Sequence, residues 1–321
     1  MKQKLIITFS LLLLIVVIFL MWKDFYKNKN RNQKNPYEYN IDNLKNIDPN
    51  LISYKEIAQI NPDIEELKSI AIDQKDLVYL TGKGKVLIYQ SENLIKSIKI
   101  DSSAYSIHVN ASGDIFLGML NHIEIFDKNG NFKSKWEAVN ENSVITSIAS
   151  NENSVFVADA GNKVVYRYDF TGKLLNEIGR KDTLKGSPGF IIPSAYFDLL
   201  IGKNDELWVV NPGRHAFENY DSEGNLISSW ERTSMQLEGF SGCCNPSNIA
   251  MLSDGSFVTS EKGLERVKIH SPSGDFKTVV ASPDLFEEGT KGIDLAVDSK
   301  DRIYVLDPVK KIVRVFEKKG E

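Results

Sequence analysis

Cysteine is nearly missing from this 321-residue chain: it has two, Cys243 and Cys244, and they are adjacent. An adjacent pair is neither a disulfide framework nor a zinc-finger spacing. Histidine is scarce too, with four residues. A catalytic zinc site wants three protein ligands converging on one point. His108 and His270 fall inside strand-like runs, which leaves His122 and His215 in connections and does not support a metal lyase. Positive charge is not in excess, since 39 Lys and Arg face 43 Asp and Glu for a net charge of -4. The basic footprint of a nucleic-acid binder is therefore absent, and no nucleic-acid partner is expected. No G-x-S-x-G elbow or phosphate-binding loop occurs. Gly82-Lys83-Gly84-Lys85 is glycine-rich but joins two apolar runs, and it reads as a hairpin turn.

Long apolar runs are also absent, with one exception. Leu5 to Trp22 is apolar apart from Thr8 and Ser10 and comes after Lys2 and Lys4. A run of this length just crosses a hydrocarbon core as a helix. Ile18-Phe19-Leu20-Met21-Trp22 lacks the small residues of a signal-peptide cleavage site, and no cysteine comes after it to carry a lipid. The run reads as an uncleaved signal anchor over residues 1–22, a single-pass helix in the cytoplasmic (inner) membrane. Lys2 and Lys4 favour a cytoplasmic amino end, although Lys23, Lys27, Lys29, Arg31 and Lys34 count the other way. The rest of the chain is expected to lie outside the cytoplasm. Residues 23–50 are polar, rich in Asn and Lys and without a hydrophobic period, as in a flexible tether.

From residue 51 to 321 the chain repeats itself. Val155 to Gly179 reads as three strands joined by the turns Asp159-Ala160-Gly161-Asn162 and Asp169-Phe170-Thr171-Gly172. Segments like it align on Tyr79, Phe116, Phe156, Trp208, Val258 and Tyr304, spaced by roughly 40 to 50 residues. Each has a first strand, a tight polar turn, a second strand and a third strand such as HIEIFD, VVYRYD or IVRVFE, and most end at a turn such as DKNG, DFTG, DSEG or SPSG. Periods of this size with four strands per unit mean propeller blades. The last unit stops near Phe316, and an unclaimed strand-like run, Leu51 to Ile60, precedes the first. Placing that run as the outer strand of the last blade joins the ends and removes exposed sheet edges. The expected fold is all-β: a six-bladed β-propeller of four-stranded antiparallel blades, preceded by one transmembrane helix. The aromatic column is expected to pack between blades.

The spacing and the VADAGNKVVYRYDFTGKLLNEIG segment resemble the NHL-repeat family of β-propellers. The resemblance is specific in the third unit, moderate in the fifth and sixth, and loose in the first two. It implies a propeller fold, while the functions it implies range over bacterial sensor domains, binding scaffolds and a zinc-dependent amidating lyase. It also implies that the Asp of the VAD segment caps its own turn.

The long connections, 179–195, 231–248 and 282–292, fall on one face, and elaborated loops on a scaffold are where binding residues sit. The candidate ligand-binding residues on that rim are Asp159, Asn211 and Glu261, which close second strands, with Arg214, His215, Lys262 and Arg266 beside them. Carboxylates and an amide on one rim could hold a cation or a polyol, or could cap turns. Cys243 and Cys244 admit three readings: buried packing residues, a strained vicinal disulfide, or soft thiolates for copper or zinc with His215 as a third ligand. These residues are compatible with two functions. One is a membrane-tethered binding or scaffold module that recognises a protein, peptide or envelope glycan at the rim. The other is a redox or metal-dependent enzyme or accessory protein using the cysteine pair.

Overall fold

The computed structural model describes residues 2–29, 42–182 and 188–320. The chain divides into two compact units, Met1–Ile41 and Asp42–Glu321.

The first unit holds helix α1, Lys2–Lys29. Its described side chains are those of residues 7–23. Leu5 and Ile6, counted in the apolar run, lie outside the described side chains. Among the described residues no helix is long and apolar enough to cross a membrane. The single-pass transmembrane helix, and with it the inner-membrane placement, is therefore corrected. Much of the segment read as a tether, residues 30–41, lies outside the described residues. Its end carries a short helix, α2 (Asp42–Lys45), and a single 3-10 turn, Pro49–Leu51.

The second unit is all-β. Its strands are β1 (Tyr54–Ile60), β2 (Leu67–Ile72), β3 (Leu77–Gln90), β4 (Asn93–Val109), β5 (Ile115–Met119), β6 (Ile123–Phe126) and β7 (Phe132–Trp136). Then come β8 (Ile145–Ser150), β9 (Val155–Asp159), β10 (Val164–Tyr168), β11 (Leu174–Ile178), β12 (Leu199–Ile201), β13 (Leu207–Asn211), β14 (Ala216–Tyr220) and β15 (Leu226–Glu231). The last are β16 (Asn248–Met251), β17 (Phe257–Ser260), β18 (Val267–His270), β19 (Phe276–Ala281), β20 (Asp294–Val297), β21 (Ile303–Asp307) and β22 (Ile312–Lys318).

These strands form five sheets, which corrects the expectation of six separate four-stranded blades. Four sheets have four strands: β8–β11, β12–β15, β16–β19, and β20–β22 with β1 at the outer edge. The fifth has six strands, β2 to β7 in order. The physical cause lies at Gly82-Lys83-Gly84-Lys85. Instead of turning freely, this stretch continues as β3, because Lys83 pairs with Ser103 and Lys85 with Lys99 on β4. Strand β4 itself runs unbroken from β3 to a new partner, β5, at Ala104. Two units that read as separate are thereby joined through the single long strand β4, with bulges where the pairing register shifts. At the other end β1 pairs antiparallel with β22, from Tyr54 opposite Lys318 to Ile60 opposite Val313.

The outer turns are written locally. Asp169 accepts the amides of Thr171 and Lys173, and Asp127 and Asp221 do the same two and four residues on. A carboxylate that satisfies two turn amides removes the need for further strand partners there. Gly172 in this turn has φ +89°, and a Cβ on it would lie 2.6 Å from Trp136 of the preceding sheet. The packing between sheets is apolar and runs with them around the axis. Val155, Val157 and Tyr166 pack on Phe116 and Ile123, while Ala158, Phe156 and Val165 pack on Leu199 and Val209. Leu306 and Val313 meet Leu80 and Leu87, which closes the circle. Each fully buried side chain of this kind stabilises by about 1.5–3 kcal/mol. The aromatic column sits here, with Tyr79, Phe116, Phe156, Trp208 and Tyr304 all buried.

Candidate functional site

Six inner segments surround a central channel of about 900 Å³: β2, the end of β4, β8, the start of β12, β16 and β20. Each contributes one polar residue at the same register, two positions beyond the aligned column: Ser69, Ser106, Ser147, Asp198, Asn248 and Asp294. This ring stitches neighbouring sheets together. Asp294 accepts from Ser69 Oγ at 2.6 Å, from the Ile70 amide at 2.9 Å and from Asn248 Nδ2 at 3.1 Å. Asp198 accepts from the Ile249 amide at 2.7 Å and from its neighbour Leu199 at 2.9 Å. Burial, then the charge of Asp294, pushes the Asp198 carboxyl up to about 7, and burial raises Asp294 as well. Ser106 Oγ and Asn248 Oδ1 are buried without a hydrogen-bond partner among the described residues. Below the ring His108 Nε2 lies 2.7 Å from Ser150 Oγ, and burial depresses this imidazole to about 4.

The mouth of the channel on the long-connection side carries Lys68, Tyr105, Leu120, Tyr196, Lys291 and Lys311. Tyr105 and Leu120 are exposed large apolar groups. Lys68 pairs with Glu66 at 3.1 Å, and Glu65 with Lys83 at 3.0 Å, so both acidic groups of this rim are already matched. Lys291 and Lys311 make no ion pair among the described residues. Lys262, from the connection between β17 and β18, sits 4.5 Å over the Tyr196 ring, in cation–π range.

Cys243 and Cys244 stand beside this mouth as free thiols, the first exposed and the second buried. Their sulfurs are 3.1 Å apart. Ser194 Oγ donates to Cys244 Sγ at 2.9 Å, and Lys262 Nζ donates to Ser194 Oγ at 3.2 Å. Burial pushes the Cys244 thiol up, but hydrogen bonds from Ser194, Cys243 and Lys262 outweigh it and the net shift is downward. The Cys243 thiol is pushed up, first by its hydrogen bond to Cys244.

The remaining rim candidates scatter into structural settings. Asp159 accepts the amides of Val144 and Asn162. Asn211 accepts the Ile191 amide and donates to Glu218 Oε1 at 2.9 Å. Glu261 is buried in an ion cluster with Arg266 and with Lys268, whose Nζ is 3.1 Å from Glu261 Oε2. Arg266 also donates to the Gln236 carbonyl, and Lys268 to those of Leu237 and Gly239, so the cluster anchors a loop. Arg214 is held between Glu218 and Glu231, each at 3.7 Å. His215 braces the cysteine loop through Nε2 to the Gly242 carbonyl at 2.5 Å. Among the described residues no three His, Cys, Asp or Glu side chains converge as metal ligands.

Of the sequence candidates, the structure brings together Cys243, Cys244 and Lys262. Sequence reasoning missed Ser194, Tyr196, Lys291, Lys311 and the channel ring. The ring had a signal, since Ser, Ser, Ser, Asp, Asn and Asp occupy one position of the aligned first strands.

Comparison with known proteins agrees with this architecture. A streptogramin B lyase structure matches with TM-score 0.60 at 12% identity, covering 83% of this chain and 98% of that one. A catalytically inactive variant of virginiamycin B lyase from Staphylococcus aureus, solved with quinupristin, matches with TM-score 0.55 at 15% identity, covering 81% and 83%. The WD40 β-propeller domain of Doa1 matches with TM-score 0.54 at 15% identity, covering 79% of each chain. This chain is a β-propeller. At these identities the likeness extends to the fold alone. No family model and no curated protein matches the chain.

Proposed function

We propose that this propeller is a binding module that seats an acidic peptide segment of a partner protein over the channel mouth. The observation that carries the reading is a mouth where Lys262, Lys291 and Lys311 have no carboxylate within ion-pair distance among the described residues, around an opening floored by polar groups. Exposed Tyr105 and Leu120 add apolar contact area beside the charges. Such a site combines electrostatic steering with a pocket. Arg214 and Arg266 are engaged in ion pairs of the fold.

The test is titration of a fluorescent oligoglutamate peptide at low salt. The double variant Lys291→Glu with Lys311→Glu is expected to bind at least ~10-fold more weakly and to lose most of the salt dependence. Reversal of Lys203 and Lys300, in turns of the opposite face, is expected to change little. Equal effects from the two faces would overturn the reading.

A further inference from the structure

The cysteine pair is held more firmly than an ordinary loop requires. Asn245 Nδ2 donates to the carbonyls of Ser241 and Lys262, at 2.7 and 3.0 Å, and its Oδ1 accepts the Lys262 amide at 3.0 Å. His215 braces Gly242 from the other side. The loop is thus clamped to the residue that supplies the nearby cation. Lysine, serine and sulfur form a donor chain that ends on Cys244, and Tyr196 is the other titratable group facing this sulfur. Cys243 is solvent-exposed and Cys244 is 1% exposed. One sulfur can therefore be reached from solution, while the other is buried behind it, in contact and stabilised as a thiolate.

We propose that Cys243 and Cys244 are a redox-active dithiol that exchanges with small-molecule disulfides, Cys243 taking the incoming thiol and Cys244 displacing it. In the first step Cys243 gives up its proton to solvent, and its thiolate attacks the disulfide RSSR. The Cys243–SR bond forms, the RS–SR bond breaks, and RS⁻ leaves and is protonated by solvent. In the second step Cys244, held as the thiolate, attacks Cys243 Sγ. The Cys243–Cys244 bond forms, the Cys243–SR bond breaks, and a second RS⁻ leaves and takes a proton. In total the dithiol is oxidised by two electrons and RSSR is reduced to two RSH. Adjacent Cα atoms are ~3.8 Å apart, below the ~4.4 Å at which ordinary disulfides begin. The product is strained and readily reduced by excess thiol, which suits a cycling site rather than a structural staple. Ser194 and Lys262 act as positioning residues for the second thiolate.

The experiment is intact-mass analysis of the purified full-length chain after exposure to glutathione disulfide. The wild-type chain is expected to lose the mass of two hydrogens and regain it with excess glutathione. Cys244→Ser is expected to stop at one stable glutathionyl adduct, and Cys243→Ser to remain unmodified while folded. Ser194→Ala and Lys262→Met are expected to form the adduct at the wild-type rate but to resolve it slowly at pH 7, with the rate recovering at higher pH. A wild-type chain that accumulates the adduct as Cys244→Ser does, or that remains a dithiol throughout, would overturn the proposal. The Lys291→Glu and Lys311→Glu variant is expected to exchange normally, so failure of the peptide-binding reading and failure of this one are distinguishable.

Discussion

Replacing His270 by leucine is expected to stabilise the propeller, increasingly so as the pH falls. His270 ends β18, is fully buried, and lies against the rings of Phe240 at 5.0 Å, Trp230 at 5.9 Å and Phe276 at 6.1 Å between centroids. Among the described residues neither ring nitrogen has a well-formed hydrogen bond, although the Glu238 backbone lies near enough to favour protonation slightly. Burial first, then the charge of buried Lys268, depresses this imidazole from 6.5 to about 3. Between those two values the unfolded chain binds a proton that the folded chain refuses. Stability from this group is therefore complete above pH 6.5 and is lost as the pH falls, by about 1.4 kcal/mol per pH unit. From pH 7 to pH 5 that amounts to ~2 kcal/mol. At pH 7, relief of the unsatisfied nitrogens, about 1–3 kcal/mol, is set against lost ring contacts of about 0.5–1.5 kcal/mol. Leucine is of similar volume, so cavity formation adds little. At about 2–4 °C per kcal/mol for a large domain, the melting-temperature gap between variant and wild type widens by ~4–8 °C on going from pH 7 to pH 5. Thermal melts of both proteins at the two pH values measure it. A gap that stays constant would show that His270 titrates normally in the folded chain and would refute the reasoning.

Charge burial and ring closure give two further expected outcomes. Glu261→Gln leaves Arg266 and Lys268 buried without a counter-charge and is expected to cost about 3–5 kcal/mol in denaturant titration; a loss within error of zero would mean the cluster is hydrated. A chain that begins at Pro62 lacks β1 and exposes Ile312 to Phe316 as a sheet edge. It is expected to aggregate or to melt well below one that begins at Asp48, and equal melting temperatures would contradict the role of β1 as the closing strand.

The turns and the strand alternation were determined by sequence alone, because their causes are local. Asp169 reaches amides two and four residues away, and Gly172 supplies a positive φ that other residues resist. The buried second-strand column was legible for a related reason: each unit repeats it, and a one-faced sheet must cover that face. The way neighbouring units join was not legible. Gly82-Lys83-Gly84-Lys85 carries turn chemistry, and Gly84 does take a positive φ, but its cross-strand partners on β4 absorb it as a bulge within β3, and those partners are set by tertiary pairing. The amino-terminal run is a second case, since Leu5 to Trp22 is apolar by letter yet among the described residues no helix is long and apolar enough to cross a membrane. Glu261 looked like a rim carboxylate because charge is usually solvated, and only the approach of Arg266 and Lys268 shows it buried and paired. Sequence adjacency put Cys243 beside Cys244. Folding alone brought Ser194, 50 residues from Cys244, and Lys262 to the buried sulfur. A thiol's ionisation depends on which donors and charges surround it, and here those neighbours come from different connections of the ring.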